Sequence, residues 1–155
     1  FRTLTADMAY ILGFIVADGC IITSKEKRKN PYTVNITSAD KLHLYRIRRV
    51  FGSEHKIGKK YSGTPGGFAF QFSVRNPFLA NDLINLGIFP RKTFTLKPLN
   101  APDIYFSDFV RGFFDGDGTV YIYRVNKIFQ IKAGFVCASY DFIKDFNQRL
   151  CKSLN

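Results

Sequence analysis

The chain has 155 residues, 46% of them hydrophobic, and carries 23 Lys or Arg against 12 Asp or Glu, a formal net charge of +11. That length and apolar content support one good core or two very small ones and exclude a disordered polyelectrolyte. No apolar run approaches the eighteen or so residues that span a bilayer, and the opening Phe-Arg-Thr-Leu-Thr-Ala-Asp lacks a secretory pattern, so a protein of the cytoplasm or an organelle, not secreted and not membrane-bound, is expected.

In chain order, Thr5 to Ala17 reads as a helix capped by Thr5, made apolar by Met8, Tyr10 to Leu12, Phe14 and Ile15, and stopped at Gly19. Cys20 to Ser24 and Tyr32 to Ser38 read as a hairpin around a basic loop, with Tyr32, Val34 and Ile36 on one face and Thr33, Asn35 and Thr37 on the other. Ser38 is the expected cap of a second helix through Leu42, Tyr45, Ile47 and Val50, ending at Gly52. A second hairpin follows, Glu54 to Lys60 and Phe68 to Arg75, whose return strand alternates Phe68, Phe70, Phe72, Val74 against Ala69, Gln71, Ser73, Arg75. Asn76 to Leu86 is a third helix, and Ile88 to Pro102 an extended connection with three prolines. The order then restarts: a helix to Gly116, strands near Thr119 to Arg124 and Ile128 to Val136, and a helix capped by Ser139. The first unit reads helix, hairpin, helix, hairpin, helix, and the second stops at Asn155 after helix, hairpin, helix. A continuation or a partner chain is therefore expected to supply the remainder.

Charge is uneven. Between Cys20 and Lys60 there are eleven Lys or Arg and three acids, whereas Asp103 to Gly118 holds four acids and one Arg. A basic region beside an acidic spot suits a polyanion held against metal-binding carboxylates, and equally a plain solvated surface. Cys20, Cys137 and Cys151 are odd in number and without C-x-x-C spacing, so neither a disulfide framework nor a zinc site is expected, and their apolar surroundings predict small buried side chains. His43 and His55 are isolated.

The strongest signal is a near-repetition. Ile-Leu-Gly-Phe-Ile-Val-Ala-Asp-Gly at Ile11 to Gly19 returns as Val-Arg-Gly-Phe-Phe-Asp-Gly-Asp-Gly at Val110 to Gly118, about a hundred residues later, the spacing of a duplicated unit. Gly13 and Ala17 share a helix face, as do Gly112 and Gly116. Small residues at that spacing let two helix backbones touch, which brings Asp18 and Asp117 together. Carboxylates so close repel unless a cation lies between them, and hard oxygen ligands suit Mg²⁺. Two such ions can clamp the attacking and leaving oxygens of a phosphodiester. One Asp-Gly after a helix is an ordinary turn; two, each behind a small-residue face, are not. A calcium loop starting at Asp115 fails, because Val120 and Asn126 stand where Gly and Glu are needed.

These paired motifs resemble those of the LAGLIDADG homing endonucleases in their two-motif form. The resemblance covers Thr5 to the end, with Gly13, Ala17, Asp18 and Gly19 matching in the first motif and Gly112, Asp115, Asp117 and Gly118 in the second; Val16 departs, standing where the motif has an earlier, noncatalytic acid. It implies an α+β fold of tandem αββαββα units, 1–98 and a truncated 99–155, forming a pseudo-twofold DNA-binding saddle. It implies that Asp18 and Asp117 bind two or more divalent ions, with the carbonyls of Ala17 and Gly116 helping, and that a lysine assists by polarising water or stabilising phosphate. The segment Leu86 to Thr93 resembles the one that bears it, which makes Lys92 the first choice and Lys97 the second.

DNA contact then falls to the polar sheet faces. Alternation assigns Asn35, Thr37, Gln71, Ser73 and Arg75 in the first half and Gln130 and Lys132 in the second, with Lys25, Arg28 and Lys29 reaching phosphates of a major groove. Tyr121 and Tyr123 are expected in an aromatic core, with the DNA side as the alternative. The resemblance thus implies a Mg²⁺-dependent endonuclease that cuts both strands of a long specific target and mobilises an intron or intein. It would be a monomer if the second half is completed, and otherwise a complex with a partner chain. Splicing residues are absent from both ends. The alternative keeps the fold without the chemistry, as a DNA-binding regulator or an RNA maturase.

Overall fold

The computed structural model describes residues 1–24, 31–61 and 66–154. Helix α1 (Ala6–Asp18) is followed by β1 (Gly19–Thr23), β2 (Tyr32–Ser38), α2 (Lys41–Val50), β3 (Ile57–Tyr61), β4 (Phe68–Val74) and α3 (Pro77–Asn85). A connection with short 3₁₀ turns at Lys92–Phe94 and Asp103–Tyr105 leads to α4 (Phe106–Asp117), β5 (Gly118–Val125), β6 (Ile128–Phe135) and α5 (Tyr140–Leu154). The first four strands form one antiparallel sheet in the order β1-β2-β4-β3, and β5-β6 form a separate ribbon. This is the α+β arrangement expected, with the motif helices α1 and α4 lying against each other.

Local sequence explains most boundaries. The Thr5 hydroxyl accepts from the Met8 N–H, and Asn76 accepts from Phe78 and Leu79. At α2 the cap is Asp40, not Ser38: the Asp40 carboxylate takes the N–H groups of Leu42 and His43 (2.8 and 3.1 Å), and Ser38 Oγ accepts from the Asp40 N–H. Those bonds hold the Asp40 carboxyl below the usual range. Only Leu44 and Ile47 of α2 are buried; Leu42, Tyr45 and Val50, read as its apolar face, are exposed. The β5-β6 turn places Asn126 and Lys127 at φ 50° and 68°, the left-handed pair that a two-residue hairpin demands.

The core centres on α1. From Ile11 to Val16 every residue is buried, so this helix has no solvent face along that stretch; it packs between the four-stranded sheet and α4. Ile21, Val34, Ile36 and Phe72 face it from the sheet side together with Leu44 and Ile47. In the second half the core is aromatic: Phe106, Phe109 and Phe113 of α4 meet Phe142 and Phe146 of α5, with Phe113 and Phe146 crossing edge to face at 5.2 Å.

The ribbon is different. Its outer face carries Val120, Ile122, Phe129 and Ile131, which are 58–72% exposed, whereas Ile21, the residue that matches Val120 in the first motif's strand, is 3% exposed. Its opposite face carries Tyr121, Tyr123, Gln130 and Lys132. The tyrosines therefore lie on the polar side, not in a core. The cysteines also differ from expectation: Cys20 and Cys151 are exposed and Cys137 is half-buried, all three as free thiols.

Candidate metal centre and nucleic-acid interface

Glycine at Gly13, Gly112 and Gly116 is required by the approach of α1 to α4. A Cβ on Gly112 would lie 1.8 Å from the Tyr10 carbonyl oxygen, one on Gly13 2.1 Å from that of Phe109, and one on Gly116 2.2 Å from the Ala17 Cβ. The two backbones therefore touch along the small-residue faces, and both helices end at the same place, in Asp18 and Asp117, before running directly into β1 and β5. A substituted Cβ on Gly116 would sit 3.5 Å from Asp18 Oδ2, which places the first acid over the second helix's last turn.

The electrostatics agree with the crowding. Both acids are exposed to solvent on one side. Partial burial raises the Asp18 carboxyl first and Asp117 adds to it, while Lys92 opposes both; the result is a pKa pushed from 3.8 to about 6. Burial also raises Asp117, again opposed by Lys92. Asp18 thus holds its proton more tightly folded than unfolded. Its favourable contribution is complete below pH 3.8 and is lost as pH rises through about 6, so the metal-free protein should lose stability across that window. Asp18→Asn should flatten this segment of a plot of melting temperature against pH, and should raise the melting temperature slightly at pH 7. An unchanged slope would remove Asp18 as its source.

Lys92 enters from the connection. Arg91 sits at φ 60°, a left-handed position uncommon for a residue with a side chain, and this turn directs Lys92 inward. Lys92 is 9% exposed, and its Nζ donates to the Val16 carbonyl (2.5 Å) and the Ala17 carbonyl (3.5 Å), the partial negative end of α1. Burial lowers its pKa, while Asp117, Cys20, Cys137 and Asp18 raise it. The second choice, Lys97, is exposed and pairs with Asp141 instead.

Among the described residues no group of three or more His, Cys, Asp or Glu could hold a metal ion. Asp115 is not a third ligand: its carboxylate accepts from the Tyr10 hydroxyl at 2.6 Å, tying α4 to α1, and burial and this bond raise the tyrosine pKa. What remains is two carboxylates and the helix-end carbonyls of Ala17 and Gly116. An all-oxygen set with one or two carboxylates fits Mg²⁺, which keeps waters and shares phosphate oxygens rather than filling a protein cage.

Beside the acids the sheets present their polar faces. Strand register aligns Cys20, Asn35 and Ser73 in one row and Thr37, Gln71 and Gly58 in the next. Thr37, Gln71 and Ser73 are half-buried and Arg75 is exposed at the end of β4. Asn35 corrects the expectation: it is 5% exposed, on a central strand with Ser73 Oγ 3.5 Å from its Oδ1, so it braces the sheet and does not present an edge. Lys60, paired in register with Ala69, is exposed on this face and was missed; counting outward from the inward-facing Ile57 would have found it. On the ribbon, Gln130 and Lys132 are exposed as expected, with Tyr121 and Tyr123 beside them. The Tyr123 hydroxyl donates to Gln130, and Lys132 Nζ lies 4.6 Å from the Tyr123 ring centre. Lys25, Arg28 and Lys29 lie outside the described residues. No helix among the described residues is long and apolar enough to cross a membrane.

Residues 5–69 match the family model of the LAGLIDADG-like domain. Among solved structures the fold is similar to LAGLIDADG homing endonuclease I-GzeII in complex with DNA target, at 13% identity and a TM-score of 0.53 over 84% of this chain and 65% of that one. It is similar also to homing endonuclease I-WcaI bound to its DNA recognition sequence, at 15% identity and a TM-score of 0.53 over 100% of this chain and 69% of that one. The chain thus spans about two thirds of either structure, and at these identities the likeness is one of fold. No curated protein matches in sequence.

Proposed function

We propose that this chain, whose residues 5–69 match the LAGLIDADG-like domain, is a LAGLIDADG protein that acts as a site-specific endonuclease on double-stranded DNA, its two units being 1–98 and 99–155. The observation that carries the reading is the abutment of α1 and α4 through Gly13, Gly112 and Gly116, which sets Asp18 and Asp117 side by side between two polar, lysine-bearing sheet faces. Asp18 and Asp117 would hold divalent metal, with the Ala17 and Gly116 carbonyls nearby. A Mg²⁺ ion there supplies Lewis acidity, offsetting phosphate charge and making water a stronger acid.

The chain's own groups do the rest. Thr37, Gln71, Ser73, Arg75 and Lys60 on one sheet, and Gln130, Lys132 and Tyr121 on the ribbon, orient the duplex. Asn35 holds the strands beneath. Lys92, whose Nζ donates to the carbonyls at the end of α1, would donate to a phosphate oxygen or orient the attacking water. Mobility of an intron or intein is the biological role that fits a long, specific target.

The test is cleavage of a pooled duplex library containing uninterrupted insertion sites, with and without Mg²⁺. Breaks at one sequence establish the enzyme and its target together; sequence-specific binding without breaks establishes the regulator instead, and selective binding of structured RNA the maturase. In the first case Lys92→Met should lower kcat about 10²- to 10⁴-fold with DNA affinity little changed, and an unchanged kcat would remove Lys92 from the chemistry.

A further inference from the structure

Lys92 belongs to neither motif helix, so something must hold the connection that delivers it. Its carbonyl accepts from the N–H groups of Thr95 (3.0 Å) and Leu96 (2.9 Å), closing a tight turn from Lys92 to Leu96. The Leu96 carbonyl in turn accepts from the Ser139 hydroxyl at 2.5 Å, across from the other half of the chain. Ser139 and Leu96 are each 3% exposed, so this bond is sheltered from water.

Ser139 precedes α5, where a serine usually turns its oxygen onto the helix's own first N–H groups. Here its main chain serves the helix, the Ser139 carbonyl accepting from the Ile143 N–H at 3.1 Å, while its side chain donates in the opposite direction. Two further ties run alongside: Lys97 pairs with Asp141, and Arg149 reaches Asp103 (2.7 Å) and the Ala101 carbonyl (3.2 Å). The Lys97–Asp141 pair is exposed on both sides, where such pairs contribute little, and the half-buried Arg149 ties residues 101 and 103, beyond the Lys92–Leu96 turn. The Ser139 bond is buried, and deleting its donor strands the Leu96 carbonyl without a partner, at a cost that a shift of the turn would relieve.

We propose that Ser139 is a positioning residue for Lys92: by fixing the Lys92–Leu96 turn from α5, it makes the placement of the first half's site lysine depend on the docking of the second half. The inference rests on the reading of Lys92 as a participant in cleavage, and its test separates the two.

The protein is labelled with ¹³C at lysine Cε, Lys92→Arg identifies the Lys92 signal, and relaxation of that signal reports the order of the side chain. In the unaltered protein Lys92 is ordered. In Ser139→Ala its order parameter should fall into the mobile range, below about 0.6, and in Ser139→Thr, which keeps the hydroxyl, it should recover. Ile47→Val, beneath the four-stranded sheet, should lower the melting temperature without altering Lys92. Where cleavage is established, Ser139→Ala should reduce kcat about 10- to 100-fold with KM unchanged, again with recovery in Ser139→Thr. A Lys92 signal as rigid in Ser139→Ala as in the parent overturns the proposal; absence of cleavage by the parent overturns the endonuclease reading and leaves the relaxation result to decide this one.

Discussion

Gly112→Ala is expected to destabilise the protein by about 3 kcal/mol or more, a fall in melting temperature of about 6–12 °C for a chain of this size. Helix propensity alone predicts the reverse, since alanine is favoured over glycine inside a helix by about 1 kcal/mol. The contact decides the sign. The new Cβ would meet the Tyr10 carbonyl oxygen at 1.8 Å and its carbon at 2.7 Å, and both belong to backbone that cannot rotate away. The helices would have to separate, opening voids around Phe14 and Phe113 and pulling Asp117 from Asp18. Gly58→Ala is the matched control, because a Cβ there meets nothing within 4 Å and should change stability by less than about 0.5 kcal/mol. Thermal melts of both variants suffice: a Gly112→Ala melt within 2 °C of the parent would contradict the helix contact and the site built on it.

The second large effect is chemical. Asp117→Asn should abolish metal-dependent cleavage, by a factor of about 10³ or more, while the fold and DNA binding persist. The exchange keeps size and polarity at an exposed position, so melting should move little. Removing a negative charge from the phosphate's path should tighten metal-free DNA binding by several fold, since one charge pair at about 4 Å is worth about 1 kcal/mol in water. The same substitution should lower the Asp18 pKa from about 6, because Asp117 is among the groups that raise it. That titration, followed by NMR, separates loss of a metal ligand from a displaced helix. Cleavage that survives with full Mg²⁺ dependence would exclude Asp117 as a ligand.

The motif pair could be read from the sequence because helical period does the geometric work: four-residue spacing of small side chains specifies which faces touch, and the acid at the end of each run follows. Strand alternation likewise gave the face of Thr37, Gln71 and Ser73. It gives the side of a sheet and not depth, so it could not tell that Asn35, between two neighbouring strands, would be covered. Tyr121 and Tyr123 point to a core by residue type, but they alternate with Val120 and Ile122 and so share the face of Lys132 and Gln130. The cap of α2 was one of two good candidates two residues apart, and only the trajectory of the chain distinguishes Asp40 from Ser38. Lys92 has no periodic signature at all; a left-handed Arg91 and a long-range contact with α1 place it, and its local sequence became informative only through resemblance to a family. Local sequence makes Ser139 an ordinary cap, because a hydroxyl's partner on a distant segment, here the Leu96 carbonyl, leaves no local signal.

The burial of α1 on every side has a consequence for cooperativity. A repeat unit defined by sequence need not be a unit of folding, and here the face bearing Gly13 and Ala17 is shaped to meet another helix rather than water. Cut away from α4, the first repeat would bare the Gly13 backbone that Phe109 and Phe113 now approach and leave the Tyr10 hydroxyl without Asp115. The contact that aligns the two carboxylates should therefore also couple the stability of the segments on either side of it, so that thermal unfolding of the chain is expected as a single transition.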